Sequence, residues 1–228
     1  MNYTEKKRKG GVLNKFAHID TYIFDLDDTL YSPKNGFSQQ MFQKQRTSLS
    51  RLLNLSEIET GDLCKTLALK YKALPFTGLH RDTELDMNAF IEEGFDLDFS
   101  QLQSCAETKL TLETLPGRKV VFTNSPACHA EKALKALDYV HVFDNIYNVQ
   151  QFDFATKPML EPYHIVLNNL NADPQKCVMI EDSYKNLITA KALGMTTVYV
   201  HGTEEVDPDI VDYKYDTLLE FLKDMENV

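Results

Sequence analysis

The stretch TYIFDLDDTL, residues 21–30, decides how the rest of the chain is read. It opens with β-branched, aromatic and apolar residues and stops abruptly at acidic ones, as a buried central strand does. Three later segments have the same character: KVVFTN (119–124), CVMIED (177–182) and TTVYV (196–200), with VFDNIYNV (142–149) a weaker candidate. Helical patterns separate them at residues 126–137, 159–170 and 183–193, the last closed by Gly194 where a helix C-cap is expected. Strands alternating with helices in this way predict an α/β fold built on a doubly wound parallel sheet.

Almost ninety residues separate the first strand from Lys119, and none of them reads as a buried strand. Leu63, Leu67, Tyr71 and Leu74 recur at helical spacing, and Phe37, Met41, Leu49, Leu52 and Leu53 form a similar stripe. Both stripes are expected to be bundle core. Gly78 and the Glu92-Glu93-Gly94 step mark expected breaks between helices. The predicted organisation is a flexible tail at 1–18, a catalytic core from 19–32 and 113–228, and an inserted α-helical cap at 33–112.

Composition narrows the function. A chain of 228 residues with 43% hydrophobic content can bury a full core. No apolar run approaches the roughly 20 residues that span a bilayer, so a soluble, cytoplasmic protein is expected. The net charge of −10 argues against nucleic acid as a partner, and the basic run Lys6, Lys7, Arg8 and Lys9 reads as a solvated tail. Cys64, Cys105, Cys128 and Cys177 have no CxxC spacing and are expected to be reduced, mostly buried thiols. The six histidines lack metal-ligand spacing and are read as structural or surface residues, and no P-loop is present.

In an open parallel sheet, ligands bind beyond the carboxyl ends of the strands, and the polar residues gather there. The first strand ends at Asp25, Asp27 and Asp28, the second at Thr123-Asn124-Ser125, and another at Glu181-Asp182-Ser183; Lys157-Pro158 precedes a helix near the same edge. Strand residues two apart share a face, so Asp25 and Asp27 are expected to address one substrate. Two carboxylates repel a phosphate dianion, and a hard cation such as Mg²⁺, held by Asp25 and Asp182, removes that repulsion. Asp25 can then attack phosphorus covalently. Asp27 suits acid/base work if its pKa rises above its ordinary value of about 3.9, and its carboxylate neighbours and desolvation under the cap are expected to raise it. Thr123 and the backbone N–H of Asn124 are natural phosphate donors. Each element also has a plainer reading. Asp28 and Ser183 read as a turn former and a helix cap, Thr123-Asn124-Ser125 as an N-cap, and Lys157 alone as a surface lysine.

Taken in order, FDLDDTL, VVFTN, Lys157-Pro158 and MIEDS resemble the four motifs of the haloacid dehalogenase-like (HAD) hydrolase superfamily. The resemblance implies Asp25 as nucleophile, Asp27 as acid/base, Thr123 and Lys157 as phosphate holders, and Asp182 as a Mg²⁺ ligand. It further implies Glu181 acting through water and the Asp27 backbone carbonyl as another ligand. Three longer stretches, DLDDTLY, LPGRKVVFTNSPACHAEKAL and EDSYKNLITAKALGMTTVYV, are similar to the pyrimidine 5′-nucleotidase branch, with Tyr31 and the HAEKAL helix its more specific features. Within the cap, FTGLHRD (76–82) resembles a Gly-Leu element of that branch and offers Phe76, His80 and Arg81 as groups to meet a small base. The expected partner is a small phosphorylated metabolite, a nucleoside monophosphate above all, met by a monomer or homodimer.

Other readings stay open. A sugar phosphate, phosphoglycolate or a phosphomutase substrate fits the same core motifs. A haloacid dehalogenase attacks carbon and lacks the second Asp, so Asp27 counts against it. A phospho-Asp receiver domain, a signalling module, needs only about half this chain and keeps its acceptor apart from its acidic pair.

Overall fold

The computed structural model describes residues 15–226. Six parallel strands form one sheet in the order β3-β2-β1-β4-β5-β6. They are β1 (Thr21–Phe24), β2 (Arg118–Phe122), β3 (Asn145–Tyr147), β4 (Cys177–Glu181), β5 (Thr196–Val200) and β6 (Tyr213–Tyr215). The central strands β1 and β4 are buried along their whole length. Burial on both faces is what their unbroken apolar runs required. Strand β6 was not anticipated: three residues reading YKY, on a sheet edge and only half-buried, give too short a run to register.

Helices α6 (Ala127–Ala136), α7 (Leu160–Leu170), α8 (Tyr184–Ala192) and α9 (Leu218–Glu226) follow β2, β3, β4 and β6. Gly194, at φ +93°, ends the α8 segment as the sequence required. Two apolar clusters, one against each face of the sheet, make the main core.

Between β1 and β2 come α1 (Phe37–Leu53), α2 (Glu57–Tyr71), α3 (Phe76–Asp82), α4 (Met87–Gly94) and α5 (Ala106–Thr114). Met41, Leu49, Leu67, Leu79 and Phe90 build a separate cluster among the first four. Leu112 of α5 instead joins the sheet core, and α5 packs against α9. Phe37 also belongs to the sheet-side cluster, so α1 bridges the two cores.

Several expectations are corrected. Gly78 does not break a helix: it lies within α3, where an added Cβ would stand 2.7 Å from Leu67 Cβ, so its small size permits close packing of α3 on α2. Helix α2 ends at Tyr71 with Lys72 left-handed at φ 53°, which removes Leu74 from the apolar stripe and leaves it 39% exposed. The thiols are not mostly buried. Cys177 is buried and Cys64 half-buried, whereas Cys105 and Cys128 are exposed. Of the segment read as a tail, residues 1–14, with the basic run, lie outside the described residues, and Phe16 packs in the core against Tyr213 and Phe221. Among the described residues no helix is long and apolar enough to cross a membrane.

Candidate active site

The site forms where β1, β2 and β4 end side by side. Strand β1 stops at Phe24, yet Asp25 still donates its N–H to Ile180 O at 2.9 Å, which pins it to β4. Beyond it the chain turns. Leu30 N–H bonds to Leu26 O, and Asp28 takes a left-handed φ of 60°. Asp25 and Asp27 both line the same cavity, but by this turn rather than by strand alternation. Asp28 occupies the turn as expected and also accepts a hydrogen bond from Ser38 Oγ at 2.7 Å, tying the first motif to α1. Ser183 sits at the N-cap of α8, but its side chain makes no capping bond.

Lys157 is not a surface residue. Its side chain is fully buried, and Nζ donates to Asp25 Oδ1 at 2.7 Å, Phe122 O at 2.7 Å and Glu181 Oε2 at 2.8 Å. All three ammonium protons thus have acceptors, which is what burying a lysine demands. Burial alone would lower its pKa, but the Asp25 and Glu181 charges outweigh burial and raise it. Asn124 secures the loop from the other side: Nδ2 donates to Lys157 O at 3.2 Å, and Oδ1 accepts from Lys157 N–H at 2.7 Å. Buried Thr123 accepts from Ser125 N–H at 2.9 Å through Oγ1, a local turn rather than a helix cap.

Opposite Lys157, Asp25, Glu181 and Asp182 bring one carboxylate oxygen each within 4.8 Å of one another. Thr29 Oγ1 lies between two of them, 3.3 Å from Asp25 Oδ2 and 3.2 Å from Asp182 Oδ1. Burial, then the Glu181 charge, push Asp25 up to about 8, and the same causes with the Asp25 charge push Asp182 up to about 10. A buried, oxygen-only set that repels its own charge fits a hard divalent cation.

Asp27 behaves differently from expectation. Burial pushes its pKa up, but the His129 charge and hydrogen bonds from His129, Ser125 and Tyr31 outweigh burial and bring the carboxyl down to about 2. His129 Nε2 is 2.6 Å from Oδ1, Tyr31 OH donates to Oδ1 at 2.7 Å, and Ser125 Oγ donates to Oδ2 at 2.5 Å. Burial, then the Asp27 charge, raise the Tyr31 phenol well above its ordinary value, which keeps it a donor. His129, with the other histidines, was read as structural or surface because it matches no ligand spacing. The signals that point to it are the HAEKAL helix after the second motif and Tyr31 after the first.

A cavity of about 790 Å³ opens over these groups and is walled by Met41, Phe42, Leu69, Leu74 and Phe76 of the segment between β1 and β2. Lys65, Lys72 and Lys185 also line it. Of the three cap residues singled out in the sequence, Phe76 is in this wall, while His80 and Arg81 are outside it. His80 packs on Phe154 with Nε2 3.2 Å from Asp153 Oδ1, and Arg81 pairs with Glu161 at 3.8 Å.

Comparison of the chain with known proteins gives its family. Residues 19–194 match the family described as "Hydrolase: haloacid dehalogenase-like hydrolase". The chain belongs to that family. Among curated relatives of this HAD-like hydrolase, a phosphoglycolate phosphatase of Colwellia psychrerythraea is 29% identical over 51% of the chain and 53% of the relative. The chain therefore spans about half the length of that protein. Pyrophosphatase PpaX of Bacillus pumilus is 21% identical over 91% of the chain and 94% of the relative. Among solved structures, CbbY from Rhodobacter sphaeroides in complex with phosphate superposes with a TM-score of 0.64 at 18% identity, covering 91% of this chain and 99% of that one. At that identity the likeness concerns the fold.

Proposed function

We propose that this chain is a Mg²⁺-dependent phosphomonoester hydrolase that works through a phosphorylated Asp25, with pyrimidine 5′-mononucleotides as preferred substrates. The observation that carries the reaction type is Lys157 Nζ, bound to Asp25 and Glu181 at 2.7 and 2.8 Å beside the three-carboxylate cluster. That pairing sets a fixed cation against the nucleophile. The names of the two curated relatives, a phosphoglycolate phosphatase and a pyrophosphatase, support phosphate release.

Asp25, Asp182, Glu181 and the backbone carbonyl of Asp27 are the groups to hold Mg²⁺, which when bound supplies charge neutralisation for the carboxylates and the phosphate. Lys157, the Thr123 hydroxyl and the Asn124 N–H bind the phosphoryl oxygens. An Asp25 oxygen forms a bond to phosphorus as the bond to the leaving oxygen breaks, and Asp27 gives that oxygen its proton. Water then attacks phosphorus, Asp27 takes its proton, and the Asp25 carboxylate is released. Asp27 is held low in the free site, and the like charge of an arriving phosphate dianion raises it toward the protonated form needed first.

The substrate class rests on the cap. A glycolate leaving group has no apolar body to set against Met41, Leu69, Leu74 and Phe76, whereas a nucleoside base has one. The resemblance of the chain to the pyrimidine branch selects the smaller base. The test compares kcat/KM for UMP, CMP, AMP, GMP, ribose 5-phosphate and phosphoglycolate with Mg²⁺. A purine nucleotide or phosphoglycolate ahead by tenfold, about 1.4 kcal/mol in transition-state binding, defeats the pyrimidine assignment and leaves the hydrolase assignment intact.

A further inference from the structure

We infer that His129 is a positioning residue that aims the Asp27 carboxyl at the leaving oxygen, and that aromatic residues of the inserted helical segment in turn hold His129. The inference rests on the phosphohydrolase reading and deepens it. His129 lies in the first turn of α6, fully buried, with Nε2 2.6 Å from Asp27 Oδ1. Three rings surround its imidazole: Phe37 is stacked at 5.9 Å between centroids, and Phe95 and Phe99 stand at 5.4 Å each. All three come from the insertion between β1 and β2, whereas His129 follows β2. The bond to Asp27 is therefore framed by the cap.

The other ring nitrogen, Nδ1, is buried and has no hydrogen-bond partner among the described residues. A histidine conserving only its packing would lose little by exchange for an apolar ring or chain, and would shed the desolvation cost of that orphaned nitrogen. Among the described residues, the sole polar contact that repays burying this imidazole is the one to Asp27. Tyr31 and Ser125 hold the same carboxyl, but they bond through rotatable hydroxyls. The imidazole is a rigid donor fixed by its ring contacts, and a fixed donor defines where the carboxyl points.

A misaimed acid slows departure of a leaving group that needs a proton and spares one that does not. The experiment therefore measures kcat/KM, which covers the steps up to leaving-group loss, for an alkyl phosphate (UMP) and for p-nitrophenyl phosphate, whose phenolate leaves unprotonated. His129→Leu keeps the volume and removes the donor. His129→Gln keeps an N–H at the reach of Nε2. The expected result is that His129→Leu raises the aryl-to-alkyl ratio of kcat/KM at least tenfold, that Asp27→Asn shifts it the same way, and that His129→Gln restores most of the wild-type ratio. Phe99→Ala, which unseats the ring from the cap side, should move the ratio in the same direction and gives the comparison should His129→Leu fail to fold. Equal losses on both esters, or no loss, overturn the role of His129 while leaving the hydrolase reading in place. A wild-type protein that hydrolyses neither ester overturns the hydrolase reading, and this inference with it.

Discussion

Lys157 Nζ lies 2.7 Å from Asp25 Oδ1 across 132 positions of sequence, with both groups buried. Removing one partner of a buried pair leaves the others uncompensated, which costs about 3–5 kcal/mol. Lys157→Met should thus lower the melting temperature, by about 2–4 °C for each kcal/mol in a chain of this size. Adding Glu181→Gln should recover part of the loss. Calorimetry in chelator on the two single variants and the double one measures the coupling. A Lys157→Met protein melting with wild type would show that the ammonium does not hold the cluster.

Asp25→Asn and Asp27→Asn should both fold and both lose activity, for different reasons. Loss of a nucleophile removes the covalent route, a cost of about 10⁴-fold or more in kcat. Loss of the acid/base costs about 10²–10⁴-fold. Because Asp25 is pushed up by burial and the Glu181 charge, and Lys157 keeps the Glu181 carboxylate and an amide oxygen as acceptors, its amide should escape the cost of Lys157→Met and leave the melting temperature unchanged or higher. Mass spectrometry should find a trapped phosphoryl group on Asp25 in the Asp27→Asn protein and none in the Asp25→Asn protein. Ready turnover by purified Asp25→Asn would remove the covalent mechanism.

Metal should act on stability as well as rate, because the same three carboxylates that need neutralising for catalysis repel one another in the resting fold. EDTA should abolish turnover, and Mg²⁺ should restore it. A ligand at 100 times its Kd stabilises by about 2.7 kcal/mol, so saturating Mg²⁺ should raise the melting temperature by several degrees. Calcium should stabilise similarly yet support turnover poorly, since its larger and looser coordination admits both oxygens of Asp25. An Asp182→Asn protein should lose most of the metal-dependent shift. Equal activity in chelator and in Mg²⁺ would exclude the cluster as a metal site.

How much of this was legible depends on the range of the interaction. Strand β5 was read to the residue, because an apolar run between turns is a local signal. Asp25, Thr123, Lys157 and Asp182 were legible as candidates because each ends a strand or starts a helix, and the parallel order brings such positions to one edge. Burial of Lys157 was not legible, since it depends on acceptors 24 and 132 positions away. The same holds for Asp27, whose direction of shift was misjudged: the neighbouring carboxylates are local in sequence, while His129 is 102 positions distant. Gly78 was misread because a glycine that permits close helix packing has the same sequence signature as one that ends a helix.

Gly78 therefore supplies the prediction that joins the cap's packing to its chemistry. An alanine Cβ there would stand 2.7 Å from Leu67 Cβ and 2.8 Å from Leu67 Cδ2, inside any real contact distance, and because no rotamer moves Leu67 Cβ, α3 must move away from α2. Overpacking of this kind costs about 1–3 kcal/mol, and Gly78→Ala should lower the melting temperature accordingly. Phe76 is two residues earlier on α3 and lies in the cavity wall, so a shift of α3 displaces it with respect to the bound leaving group. The groups proposed to hold phosphate and metal belong to the sheet edge and stay in place. Gly78→Ala should thus raise KM for a nucleotide several-fold while leaving kcat on p-nitrophenyl phosphate close to wild type, because a small leaving group uses little of the cap wall. Pairing it with Leu67→Gly removes every Leu67 atom that the new methyl meets, so the double variant should melt higher than the two single losses added together predict and its KM should return toward wild type, a coupling expected only of residues in contact. If Gly78→Ala lowers kcat on both substrates equally, the cap packing bears on the chemistry itself and the division between sheet edge and cap wall drawn here is wrong.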